Sequence, residues 1–189
     1  EAIDLALRAT VNPGDEVIVP EPCFVCYAPL VSMAGGIPVA LPLKWENDFK
    51  LAPEELRSAI TEKTKAIVLA FPNNPTGACL TKAELEGLAE VIRESDALVI
   101  SDEIYAELTY GGLHHVSIAN IPDMYDRTVV INGFSKSHSM TGWRMGYLAA
   151  PRHIAEQVYK LYQHSITCVS GFMQKAATVA LDCTDEIEA

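Results

Sequence analysis

Short apolar runs set apart by amphipathic stretches restrict the fold of this chain more than any other feature. Glu16–Pro20, Ile37–Leu43, Ala66–Ala70, Ala97–Ser101 and Val129–Asn132 are apolar along most of their length. Runs this short and this uniform read as strands buried on both faces. Tyr147–Ala150 is a candidate sixth. Several of the stretches between and around them carry a helical period instead. Strands alternating with amphipathic helices imply an α/β fold, a mostly parallel sheet covered on both sides in three α/β/α layers.

The helices have their own punctuation. Glu1–Val11 shows helical spacing in Ile3, Ala6, Leu7 and Thr10, and Phe24–Met33 in Tyr27, Leu30 and Val31. Gly35-Gly36 ends the second of these. Pro53 suits a first helical turn, with Leu56, Ala59 and Ile60 as the apolar face. Thr81-Lys82-Ala83-Glu84 is a capping box opening a helix whose stripe is Leu85, Leu88, Ala89 and Ile92. Pro151 starts a helix with Ile154, Val158 and Leu161 inward. Ser170 caps a last one, with Met173, Ala176, Ala177, Ala180 and Leu181 inward.

Composition narrows the function classes. The 189 residues, 49% hydrophobic, suffice for one domain with a sizeable core. A net charge of −11 argues against nucleic acid and anionic membrane surfaces as partners. No apolar run reaches the ~18 residues of a membrane span, and no signal peptide is visible. Five irregularly spaced cysteines argue for a reducing compartment, and so for a cytoplasmic setting. The ends read as cut. There is no initiator Met, no capping residue precedes the first helix, and Asp182–Ala189 stops without a closing signal. Residues 1–189 are therefore expected to be a central piece of a longer chain.

Candidate chemistry lies just after the strands, where α/β sheets bind ligands. After the fifth strand comes Gly133-Phe134-Ser135-Lys136, then Ser139-Met140-Thr141-Gly142-Trp143-Arg144-Met145-Gly146. A lysine can form a Schiff base with a carbonyl, and an arginine can grip a phosphate with two parallel hydrogen bonds. After the third strand, Phe71-Pro72-Asn73-Asn74-Pro75-Thr76-Gly77 is a turn, since its prolines block helix and its glycine permits positive φ. Ser101-Asp102-Glu103-Ile104-Tyr105 ends the fourth strand. Asp102 there is either a helix N-cap or a carboxylate for a heteroaromatic nitrogen. Glu103 would point to the opposite face. Phe24 is either a core residue at a helix start or an aromatic facing a ligand. Cys23 and Cys26 form a CxxC without a second pair to complete a zinc site, and His114-His115 reads as a solvated or satisfied loop pair. No metal site is expected, and nothing gives His138 a role.

The lysine string closely resembles the pyridoxal-phosphate attachment signature of class I/II aminotransferases. Asn74-Pro75-Thr76-Gly77 and Asp102-Glu103-Ile104-Tyr105 resemble two further motifs of that family, in the family's order. The resemblance runs from Glu1 to about Ala180, and the wording is nearest the aromatic and PatA-like branch. It implies the large domain of a fold-type I pyridoxal-phosphate enzyme, with an N-terminal segment and a C-terminal small domain outside this stretch. It implies that Lys136 carries pyridoxal 5'-phosphate as a Schiff base and shuttles the substrate's Cα proton. Asp102 would meet the pyridine nitrogen, Asn74 and Tyr105 the phenolic oxygen, and Arg144 the phosphate. Phe24 would stack on the ring. Ser135 is a looser phosphate contact, because some relatives have a serine where this chain has Gly133. The implied partners are amino-acid and 2-keto-acid substrates and a second copy of the chain.

The same resemblance places a phosphate-binding Gly/Ser loop and a substrate-carboxylate arginine outside these residues, so the isolated stretch is expected to be inactive. A carbon–sulfur lyase on the same fold and a cofactor-sensing domain of a transcription regulator share these motifs and stand as alternatives.

Overall fold

The computed structural model describes residues 1–183. The reading of Asp182–Ala189 as an open end lies, from residue 184 on, outside the described residues. Six strands form one sheet: β1 (Glu16–Glu21), β2 (Ile37–Pro42), β3 (Thr64–Ala70), β4 (Leu98–Asp102), β5 (Thr128–Gly133) and β6 (Gly146–Ala149). Their order is β2-β1-β3-β4-β5-β6. Every neighbouring pair is parallel except β5 and β6. The helices are α1 (Ala2–Thr10), α2 (Tyr27–Met33), α3 (Pro53–Ala59), α4 (Lys82–Arg93), α5 (Arg152–Ser165) and α6 (Gly171–Ala180).

Successive strand residues face opposite sides, so the uniform apolar runs feed two cores. Ile18, Ile67, Leu69 and Val99 pack with Leu56 of α3 and with Leu85, Leu88 and Ile92 of α4. Val17, Val19, Val68, Ile100 and Ile131 pack with Leu7 of α1, Val31 of α2 and Ile154 and Val158 of α5. The three layers are thus as expected. The Thr81 box forms as read: Glu84 Oε2 accepts from the Thr81 amide at 2.7 Å, and Thr81 Oγ1 from the Glu84 amide at 3.3 Å.

Between β4 and β5, where the sequence offers no helix, no α-helix forms. That connection is a long loop with short 3-10 turns, and its Ile118, Ile121 and Met124 cover the sheet in place of a helix. Several local expectations need correction. The helix expected from Phe24 begins at Tyr27, because Pro22 and Asn73 tie the preceding turn to the sheet edge. α1 buries Leu5 beside Ala6 and Leu7, while Ile3 and Thr10 are only half-buried, because neighbours flank it on more than one side. Leu161 is 37% exposed, while the next residue, Tyr162, packs against the core beneath α5. Ser170 occupies the N-cap position of α6 but makes no capping bond with its side chain. Of the α6 face only Ala177 is fully buried, with Met173 and Ala180 beside it, and Leu181 is 57% exposed. The surface it meets is small, just Phe134 and Met145 with a few flanking residues.

Because β1, β3, β4 and β5 run parallel, their carboxyl ends share one edge of the sheet. The chain leaves β1 for β2 on one side and returns to β3 on the other. Such a reversal opens a crevice at the carboxyl edge. β6 returns antiparallel to β5, so residues 134–145 must turn over the same edge.

Candidate active site

β4 ends in Asp102, only 7% exposed. Its Oδ2 accepts a hydrogen bond from the Tyr27 hydroxyl at 2.9 Å, and its Oδ1 accepts from the Ile104 amide at 3.1 Å. Burial pushes the Asp102 carboxyl above the usual carboxylate range, and the two donors pull it back. Burial and the adjacent carboxylate push the Tyr27 phenol strongly upward, so it remains a donor. No helix starts directly after β4, so Asp102 is not a helix N-cap.

Glu103 points the other way, as strand alternation requires. Its carboxylate meets His115 Nε2 at 2.9 Å, Ser117 Oγ at 2.7 Å and Ser101 Oγ at 2.9 Å. Burial raises this group too, but the His115 and serine hydrogen bonds prevail and hold it below its usual value. His115 is thus satisfied by a carboxylate, and His114 is exposed.

The next contacts bring three separate motifs together. The Asn74 amide nitrogen lies 3.5 Å from the Tyr105 hydroxyl. Lys136 Nζ lies 5.7 Å from the centroid of the Tyr105 ring, within range of a cation–π contact. The Asn74 turn is built by its neighbour. Asn73 Oδ1 accepts from the Thr76 amide and hydroxyl, while Asn73 Nδ2 donates to the Pro22 carbonyl at 3.2 Å. Gly77 closes the turn at φ +74, where a side chain would be strained.

The lysine loop is braced at several points. Ser139 N donates to the Lys136 carbonyl, and Thr141 Oγ1 to the Ser135 carbonyl at 2.9 Å. His138 bonds Ser137 Oγ at 2.8 Å and the Ala180 carbonyl at 3.1 Å, tying the loop to α6. That is a positioning role the sequence did not suggest. Arg144 is exposed and takes the left-handed conformation at φ +53, with Nη1 donating to the Thr141 carbonyl at 2.8 Å. Arg144 and Ser135 share the Lys136 loop, and the structure gives neither a direct contact with Asp102. Gly133 is forced by packing: a Cβ there would lie 2.9 Å from both Gly146 Cα and the Met145 carbonyl oxygen.

Phe24 is 48% exposed and precedes α2, so it is not a core residue. Its ring meets Tyr27 edge-on, at 6.2 Å between centroids. Sequence reasoning missed Tyr27 and Asn73 as parts of this edge. The signal available for Tyr27 was chemical: a buried tyrosine needs a partner for its hydroxyl.

Two other features lie apart from this cluster. The Cys23 thiol is pushed up to about 11 by burial, then by Glu21 and Cys26, which disfavours the reactive thiolate. A cavity of about 310 Å³ opens on the opposite face of the sheet, between α4 and the 109–116 loop. It is lined by Leu69, Phe71, Leu85, Ser101, His114 and His115, and not by Asn74, Asp102, Tyr105 or Lys136.

A mostly parallel sheet in three layers, with an amine, an amide, a phenol and a carboxylate over its carboxyl edge, defines an α/β domain whose edge suits a small ligand. The sequence profile of the aminotransferase class I and II family matches residues 1–189, and the chain belongs to that family. It is 50% identical over 186 residues to an aspartate aminotransferase of Bacillus subtilis, covering 98% of this chain and 47% of that protein. It is 44% identical over 181 residues to aromatic-amino-acid aminotransferase 2 of Thermococcus litoralis, covering 96% and 46%. The crystal structure of an aromatic aminotransferase from Pyrococcus horikoshii superposes with a TM-score of 0.93 at 42% identity, covering 99% of this chain and 52% of that one. The chain thus spans about half the length of the relatives it matches.

Proposed function

We propose that the protein carrying this chain is a pyridoxal-phosphate-dependent aminotransferase that moves an amino group between an amino acid and a 2-keto acid. The observation that carries this reading is the meeting of Lys136, Tyr105 and Asn74 from three separate loops at one sheet edge, beside a buried Asp102 with one donor on each oxygen.

The donor set fits a phosphorylated pyridine aldehyde group by group. Lys136 supplies an amine for the aldehyde. Asp102 supplies an anion for the ring nitrogen. Asn74 and Tyr105, already paired, supply polar atoms for the phenolic oxygen. Arg144 offers a bidentate fork to the phosphate, which lysine could not replace, with Ser135 on the same loop. Phe24 offers an exposed ring face. When bound, the cofactor supplies an electron sink for the carbanion at the substrate's Cα.

The chain's own residues orient and move the proton. Lys136 Nζ is the group that takes the Cα proton and returns it, which requires a neutral amine within hydrogen-bond reach of that carbon. Tyr105 lies under the amine and orients it. Asp102 would be the fixed charge for the ring nitrogen. The related proteins are named for aspartate and for aromatic amino acids, so the amino donor is a question for assay. We further propose that residues 1–189 form the central part of a large domain and that the whole protein works as a cytoplasmic homodimer.

The test incubates the cofactor-loaded protein with aspartate or phenylalanine and 2-oxoglutarate. Equal amounts of glutamate and the matching keto acid are expected. In a parallel incubation with a cysteine-type thioether as the amino acid, release of pyruvate, ammonia and thiol without glutamate would assign the protein to the lyases instead.

A further inference from the structure

We propose that Tyr27 is a positioning residue for Asp102: its hydroxyl fixes one carboxylate oxygen and so sets the direction in which the carboxylate meets a heteroaromatic nitrogen. The inference rests on the reading of Asp102 given above. The established motifs do not contain Tyr27, which comes from the first turn of α2, on the far side of β3 from β4.

Three observations carry it. Tyr27 is 3% exposed, so its hydroxyl cannot turn to water for a partner. That hydroxyl lies 2.9 Å from Asp102 Oδ2, and the Ile104 amide lies 3.1 Å from Oδ1. One donor on each oxygen locks the carboxylate's rotation and leaves the other lone pairs for a ligand. The same turn carries Phe24, edge-on to the Tyr27 ring. Carboxylate and exposed ring face are thus held in register by one side chain. The ionisable groups around Asp102 are Tyr27 and Cys26 on the α2 side and Glu103 along the strand. Tyr27 is the one that donates a hydrogen bond. Without it, burial acts on a carboxylate with one donor fewer, and a protonated Asp102 could not keep a ring nitrogen charged.

The experiment uses the cofactor-loaded protein carrying this chain. Tyr27→Phe keeps the ring in its packing and deletes only the hydroxyl. The cofactor dissociation constant should rise about tenfold, the scale of a lost hydrogen bond to a charged group. kcat should fall by about the same factor with the amino-acid KM nearly unchanged. The pH at which the bound cofactor's visible absorbance changes should move by about one unit. In an Asp102→Asn background the same substitution should cost no further cofactor affinity. Unchanged affinity and absorbance profile in Tyr27→Phe overturn the inference, and so does an equal loss in both backgrounds, which would mark packing alone. If Asp102→Asn itself leaves cofactor affinity intact, the underlying reading of Asp102 is what fails. Should Tyr27→Phe not fold, 3-fluorotyrosine at position 27 keeps the shape and strengthens the donor. A displaced absorbance profile then supports the inference, and an unmoved one overturns it.

Discussion

Lys136 and Asp102 reach the sheet edge from different strands and would do different work there. Lys136 is exposed and rests over the Tyr105 ring, while Asp102 is buried with both oxygens bonded. An exposed amine can be deleted without leaving a cavity or an orphaned partner. Lys136→Ala should therefore fold normally and lose the absorbance of covalently held cofactor together with turnover. Persistence of the band would remove the lysine from the site. Asp102→Ala should still bind cofactor through the other contacts and lose roughly a hundredfold or more in turnover, the scale of removing a preorganised electrostatic partner. Turnover equal to wild type would end its assignment. These two positions stand out in the sequence because Asp102 ends a strand and Lys136 closely follows one, each within an unusual string. Tyr27 does not, since its partner is 75 positions away and only the strand order brings them together.

The lysine loop is shaped by the strands that bracket it. β5 and β6 run antiparallel with Gly133 opposite Gly146, and these backbones approach too closely for a Cβ at position 133. Gly133→Ala should cost about 1–3 kcal/mol of stability, as overpacking does, and should weaken cofactor binding by shifting the segment that holds Lys136. A thermal melt and a cofactor titration check both parts, and an unchanged melting temperature would show that the two strands separate freely. Other elements differ in how far spacing alone revealed them. The strands were legible because buried parallel strands are apolar throughout. The α4 start was legible because Thr81 and Glu84 bond each other across one turn. The inward faces of α5 and α6 were not, because Leu161 and Leu181 keep the helical period where no neighbour covers them. The β4–β5 connection was not legible as a helix substitute, since its Ile118, Ile121 and Met124 pack without a sustained period.

Across the whole molecule, two adjacent carboxylates at the end of β4 link stability to pH in opposite directions. Asp102 is raised by burial, so its contribution is greatest below its unfolded value and is lost as pH rises through the folded one. Glu103 is lowered: burial raises it, but His115, Ser117 and Ser101 more than offset that. Its contribution is present above the ordinary value of 4.5 and is lost as pH falls through the still lower folded value. Glu103 also clasps the 114–117 loop to the sheet, so this stability belongs to the fold and not to the ligand edge. Glu103→Gln keeps the shape, removes the charge and exchanges an acceptor for a donor. The variant should unfold at lower urea than wild type at pH 7, and the gap should narrow as pH drops below 4.5, where wild-type Glu103 itself takes up a proton. Urea titrations at pH 7 and at pH 4 or below measure it. A gap of constant size across that range would mean that the loop is held by packing, with the charge on Glu103 contributing nothing.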